Sequence, residues 1–177
     1  MLNIILLLSS VFALGNAWYR NDTDKQIMEN LLRNLPIEKQ EPDTRSSSCP
    51  LGWHNYGTRC YHYVPILAQW AEAEHYCLLL GGNLASVHSL SQHNFLLSII
   101  QRSGGNQHTW IGGYDAIKEG LWLWSDGSRF NYQKWSPGQP DNRASLEHCM
   151  EMNFQTERGQ NDNVCSLQRP FICARKQ

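Results

Sequence analysis

Between Gln139 and Asp162, oxygen-bearing side chains gather around one cysteine. Gln139-Pro140-Asp141-Asn142 opens the stretch, Glu147-His148-Cys149 stands inside it, and Asn161-Asp162 closes it shortly before Cys165. Carboxylate and amide oxygens suit a hard cation. Calcium takes about six to eight oxygens at about 2.3–2.6 Å. Gln139, Asp141, Glu147, Asn161 and Asp162 can supply most of that shell, with water or a ligand's hydroxyls for the rest. Three carboxylates against a charge of two leave a small negative surplus that can polarise hydroxyls. A solvated acidic loop tied by a disulfide has the same composition, because Asp, Asn, Gln and Pro are ordinary turn residues. Composition alone favours that plainer reading, so the choice rests on the rest of the chain.

The elements that must position this stretch read as helices first and strands afterwards. Apolar residues at Leu67, Trp70, Ala73, Tyr76 or Cys77, and Leu80 line one broad face of a helix over 67–80, stopped by Gly81-Gly82. Residues 83–87 are a connector or short strand. Phe95, Leu96, Ile99 and Ile100 mark the buried face of a second helix over 91–101, ended by Ser103-Gly104-Gly105-Asn106. The period then changes. Residues 109–112 and 120–124 read as strands, Ser125-Asp126-Gly127-Ser128 as a tight turn into 129–132, and 149–154, 164–166 and 169–174 as the last strands. Cys49 and Cys60 bracket Trp53, Tyr56 and Gly57 in what reads as a small hairpin. Long irregular stretches at 133–147 and 155–163 are of the length that is usually functional or disordered. The order gives an α+β architecture.

The 177-residue chain is 41% hydrophobic and 11% aromatic, enough for one packed domain with extensions. A net charge of −1 argues against a nucleic-acid or anionic-membrane partner. Six cysteines, none in Cys-x-x-Cys spacing, point to disulfides in an oxidising compartment. The apolar run from Ile4 to Leu14, followed by Gly15-Asn16-Ala17, reads as a signal peptide over 1–17, cleaved after Ala17. It is shorter than the ~20 residues of a membrane-spanning helix. The mature protein is therefore expected to be secreted, extracellular and not inserted in a membrane. Residues 18–48 form an extension with a glycosylation sequon at Asn21 and a short amphipathic helix over 23–35. That helix has three possible uses: packing on the domain, pairing with a second copy in a homo-oligomer, or serving as a pro-segment. A partly ordered tail is equally compatible with the pattern. The domain proper occupies 49–177. Trp110, Trp122 and Trp124 read as core, and His148 as a strand-end histidine rather than a zinc ligand. No serine, cysteine or lysine sits in a nucleophile motif, so catalysis is not expected.

From Cys49 to Arg175 the chain resembles the C-type lectin domain, and within it the galactose-type secreted lectins of fish. The resemblance is carried by Cys49 and Cys60, Cys77, Trp110-Ile111-Gly112-Gly113, Trp122-Leu123-Trp124-Ser125-Asp126-Gly127, Gln139-Pro140-Asp141, Glu147-His148-Cys149, Asn161-Asp162 and Phe171-Ile172-Cys173-Ala174. It implies the pairings Cys49–Cys60, Cys77–Cys173 and Cys149–Cys165. The second encloses most of the domain, a loop size that stabilises by about 4–5 kcal/mol in the chain-entropy model. The resemblance also implies a cis peptide before Pro140, calcium held by Gln139, Asp141, Glu147, Asn161 and Asp162, and two vicinal sugar hydroxyls bound by those same residues. The Gln-Pro-Asp order goes with galactose in this family, whereas Glu-Pro-Asn goes with mannose. The implied partners are glycans with terminal galactose or a related sugar. Two positions depart from the pattern. Arg143 stands where strong galactose binders carry a tryptophan, and Gln160 replaces the tryptophan that usually precedes Asn-Asp, which removes an expected loop anchor. Two other uses of the same scaffold stay open: calcium-dependent type II antifreeze activity and a venom-type protein-binding module.

Overall fold

The structure is a computed structural model and describes residues 49–177. The signal peptide, the Asn21 sequon and the helix expected over 23–35 lie outside the described residues. The chain runs β1 (His54–Tyr56), β2 (Arg59–Ala68), α1 (Trp70–Leu79), β3 (Asn83–Leu84), α2 (Leu90–Arg102), β4 (Thr109–Tyr114) and β5 (Leu123–Trp124). After a long loop come β6 (Glu147–Phe154), β7 (Gly159–Val164) and β8 (Arg169–Lys176). The strands join in the order β1-β2-β8-β4-β6-β7, with β3 on β8 and β5 on β4. Pairing is antiparallel except where Trp110 of β4 meets Phe171 of β8 in parallel.

Strand alternation divides the core into two layers. Along β8, Phe171 and Cys173 pack with Trp110, Cys149, Val64 and the α1 residues Ala73 and Cys77. Ile172 and Ala174 face the other way, onto Tyr61, Ile111, Met150, Met152 and the α2 residues Leu96, Ile99 and Ile100. A period of two thus lets one sheet bury both faces, with one helix on each. The three tryptophans read as core are buried there: Trp110, Trp122 and Trp124. The Ser89 hydroxyl caps α2 by accepting from the Gln92 N–H at 3.1 Å. The chain leaves α1 through Gly81 at φ 78° and then passes so close to β8 that a Cβ at Gly82 would lie 2.2 Å from the Ala174 carbonyl oxygen.

Three disulfides fasten this frame, Cys49–Cys60, Cys77–Cys173 and Cys149–Cys165. Several expected boundaries move. β2 continues from the small hairpin to Ala68 and takes in Leu67, which is half exposed and not part of α1. Residues 129–132 are not a strand. Much of the second irregular stretch is ordered, because β7 already begins at Gly159 and pairs along β6. An unbroken run of glycine and polar residues hid this strand: Gly159 to Val164 offers one apolar side chain, at its end.

Candidate metal centre

The loop between β5 and β6 reaches the ends of β6 and β7 through a cis peptide at Gln139-Pro140. It is pinned before that point by Gln160. This buried side chain accepts from the Lys134 N–H at 2.6 Å, while its main chain exchanges bonds with Lys134 and Ser136. The loss of a tryptophan anchor expected at this position is therefore corrected: the amide does the anchoring through hydrogen bonds where an indole would do it by packing.

Beyond Pro140 the backbone is left-handed at Asn142, Ala144 and Ser145, with φ of 39°, 58° and 59°. Asparagine tolerates that region through its short polar side chain, and strain of this kind gathers at binding loops. The turn aims successive N–H groups at two carboxylates. Asp141 and Asn142 donate to the two oxygens of Asp162, at 3.1 and 2.7 Å. Arg143 N–H donates to Glu147 at 3.0 Å, and Glu147 N–H returns a bond to the Asn142 side-chain oxygen at 3.1 Å.

Asp141, Glu147 and Asp162 converge as a result, each offering an oxygen, with all three oxygens within 4.8 Å of one another. Among the described residues, no Lys, Arg or His side chain forms an ion pair with any of them. Burial raises the Glu147 pKa. The Arg143 N–H opposes this, while Asp141 and Asp162 reinforce it. Burial likewise raises that of Asp162, opposed by the N–H groups of Asn142 and Asp141 and reinforced by the Asp141 charge. Three carboxylates share one place, and among the described residues only main-chain dipoles offset them. An oxygen-only donor set with surplus negative charge fits a hard divalent cation, calcium above all.

The other two expected ligands stand apart. Gln139 lies on the loop next to the cluster, its side-chain oxygen accepting from the Asp141 N–H at 3.1 Å. Asn161 pairs with Glu151 across β6 and β7, one position out of phase with Asp162, so its side chain leaves by the opposite face. Its amide donates to the Glu151 carboxylate at 2.9 Å, joined by Asn163 at 3.1 Å and the Arg169 guanidinium at 3.0 Å. The sequence reading missed Glu151 as a fully buried carboxylate. It also missed Asn142 as the residue on which the cluster turns. The Asn at the fourth place of Gln-Pro-Asp-Asn, the type most at ease with positive φ, was the available signal.

Residues 66–175 match the family model described as Lectin C-type domain. The galactose-specific lectin nattectin of Thalassophryne nattereri is 48% identical over 131 residues, spanning 73% of this chain and 82% of the relative. Ladderlectin of Oncorhynchus mykiss is 37% identical over 177 residues, spanning 96% of this chain and 90% of the relative. Among solved structures, herring type II antifreeze protein superposes with a TM-score of 0.68 at 32% identity, over 73% of this chain and 99% of that one.

Proposed function

The chain belongs to the C-type lectin domain family, and from that premise we propose that it is a secreted, calcium-dependent, galactose-preferring lectin that recognises microbial or cell-surface glycans in extracellular defence. The family is one of carbohydrate-binding domains, and the chain is not an enzyme. One observation carries the finer reading: Asp141, Glu147 and Asp162 meet without a cation of their own. Bound calcium supplies the missing positive charge and open coordination positions for two vicinal sugar hydroxyls. Asp141 and Glu147 would accept hydrogen bonds from the hydroxyls, and the Gln139 amide would donate to a hydroxyl oxygen. The N–H groups of Asn142 and Arg143 hold Asp162 and Glu147 in position. Asn161, an expected ligand, takes part as the residue that fixes Glu151 behind the site. The galactose-specific relative and the Gln-Pro-Asp order support the sugar preference.

The protein should stay on immobilised galactose in calcium and leave it in chelator. Exchanging acid and amide, Gln139→Glu with Asp141→Asn, should turn selection on a glycan array toward mannose. Retention unchanged in excess chelator would refute the calcium bridge, and galactose preference kept by the double variant would refute the assignment of selectivity. Likeness to an antifreeze protein supports a second reading, ice binding by the same loop surface. Thermal hysteresis in calcium without retention on galactose would favour it.

A further inference from the structure

The turn between β6 and β7 is the end of that hairpin remote from the carboxylate cluster. Glu147 stands at the cluster and Asn153 six positions further along β6, a span of about 20 Å at about 3.4 Å per residue. A hairpin tip is ordinarily the loosest part of a strand pair, yet this one is fastened from several sides. The Arg158 carbonyl accepts from the buried His93 of α2 at 2.9 Å, and the Glu157 carbonyl accepts from Lys134 Nζ at 3.0 Å. The Phe154 carbonyl accepts from the Ser136 hydroxyl at 3.0 Å, and the Asn153 side-chain amide donates to the Gln107 carbonyl at 3.0 Å. Asn153, Gln155 and Arg158 are held there at positive φ, of 65°, 57° and 51°.

The fastened turn forms one wall of a hollow of about 350 Å³ beside the end of α2, lined by Gln101, Asn106, Asn153, Gln155, Thr156 and Arg158. That volume lies within the range of small-ligand sites. The side chains are four primary amides, a hydroxyl and a guanidinium, with no carboxylate. The Arg158 guanidinium donates to the Gln101 side-chain oxygen, which fixes the orientation of that amide. Among the described residues Arg158 forms no ion pair. Its sequence neighbour Glu157 accepts from the Thr156 hydroxyl at 3.2 Å. Donors outnumber acceptors, because each amide brings two N–H groups to one oxygen and a guanidinium accepts nothing. Sugar hydroxyls suit the amides, since both donate and accept, and the unpaired guanidinium suits a carboxylate, which it can grip with two parallel N–H groups. Past Gly105 and Asn106 the hollow adjoins a second one of about 310 Å³, whose wall includes Pro65 and Leu67. Both of these are exposed, an apolar surface open to the C–H face of a further ring.

We propose that this hollow is a second saccharide site, separate from the Asp141, Glu147 and Asp162 cluster, and that it takes a sugar carrying a carboxylate. Arg158, placed by Gln101, binds the carboxylate. Asn106, Asn153 and Gln155 exchange hydrogen bonds with the ring hydroxyls, and Pro65 and Leu67 receive the next residue of a longer chain. No metal ion takes part, because the positive charge is the protein's own. The site therefore depends on neither calcium nor galactose binding at the other end of the hairpin.

The test is a ligand-observed NMR titration of the full chain in chelator. Methyl glucuronide and N-acetylneuraminic acid serve as two sources of a sugar carboxylate, with methyl glucoside as the neutral control. At least one acid should bind, and the one that binds names the source; the neutral sugar should not bind. Arg158→Gln should weaken the acid by at least about tenfold, the scale of a lost hydrogen bond to a charged group. Arg158→Lys should weaken it less, since an ammonium keeps the charge and lacks the fork. Asn106→Asp, which sets a like charge in the hollow, should abolish binding. Both positions are exposed, so thermal unfolding of these variants should match that of the parent chain. Failure of both acids to bind, equal binding of methyl glucoside, or undiminished affinity in Arg158→Gln would each overturn the proposal. A failure of galactose retention in calcium with acid binding intact would count against the lectin reading alone.

Discussion

Glu151 and Asp162 sit on adjacent strands, both almost wholly buried, and their environments are opposite. Burial pushes both carboxyls up. At Glu151, His108, Arg169 and Asn161 more than offset it, and the pKa ends below the usual range. At Asp162 the donors are main-chain N–H groups, the charge acting on it is the like charge of Asp141, and the pKa ends above the usual range. The same burial therefore gives an internally neutralised anchor in one place and an unfilled demand for positive charge in the other. A buried carboxylate with its own guanidinium belongs to the fold; one that faces only other carboxylates points to a ligand from outside.

The largest expected effect tests that contrast directly. Glu151→Ala leaves Arg169 facing a space it cannot neutralise, and breaking a buried pair costs about 3–5 kcal/mol. Asp162→Asn should cost less in chelator, because relieved repulsion partly offsets the loss of one of the two main-chain N–H bonds to Asp162, yet abolish calcium binding. Urea denaturation in chelator and a calcium titration separate the two. Equal destabilisation by both variants would dissolve the distinction.

Next in size is the ion itself. Calcium at about a hundred times its Kd should stabilise the domain by about 2.7 kcal/mol, read as a rise in Tm, and should do nothing for Asp162→Asn. The fold should survive chelation, held by three disulfides and the two-layer core.

Acid should act on the two regions with opposite sign. Glu147 and Asp162 have raised folded-state pKa values, so without calcium their protonation favours the folded state as pH falls through those values. The same protonation weakens calcium, so sugar retention should fade above the pH at which ordinary carboxylates titrate. Glu151 and Asp126 are lowered, so their stabilisation is complete above the ordinary carboxylate range and lost as pH falls through their folded values. His93 is fully buried, donates its Nε2–H to the Arg158 carbonyl at 2.9 Å, and is lowered by burial to about 4 from 6.5. It binds a proton in the unfolded chain before the folded one, so stability should fall between those two values, by roughly 3 kcal/mol in all. Replacing His93 with Gln should flatten that part of a stability-against-pH curve.

The smallest effect belongs to the rim. Arg143 is exposed where the resembling galactose binders present an indole. Arg143→Trp should tighten monosaccharide binding severalfold from a starting Kd of roughly 1 mM, without changing calcium affinity. Removing residues 18–48 should leave that Kd unchanged and lower agglutination, since linked sites raise avidity by about 10²–10⁴. An agglutinating monomer in sedimentation would contradict pairing of two copies through the extension.

Much of this was legible along the chain. The order of helices and strands and the buried tryptophans follow from local pattern, because a helix period or a strand alternation is complete within a few neighbouring positions, while Asp141, Glu147 and Asp162, which the structure brings together, were singled out through the family resemblance. β7 was not legible, since its residues Gly159 to Asn163 are all glycine or polar and only pairing with β6 makes them a strand. The direction of Asn161 was not legible either: in a strand, one step of register reverses the side chain, and register is fixed by the partner strand. Gln160 as anchor, Glu151 as its own paired ion, and the meeting of Arg158 with Gln101 are contacts between residues far apart in sequence. Each depends on which strand lies beside which, and on how deeply a charge is taken from water. The sequence by itself offered the oxygen-bearing side chains from which a cation site could be built. The tertiary structure decided which of them face one another, because charge neutralisation acts across space and not along the chain.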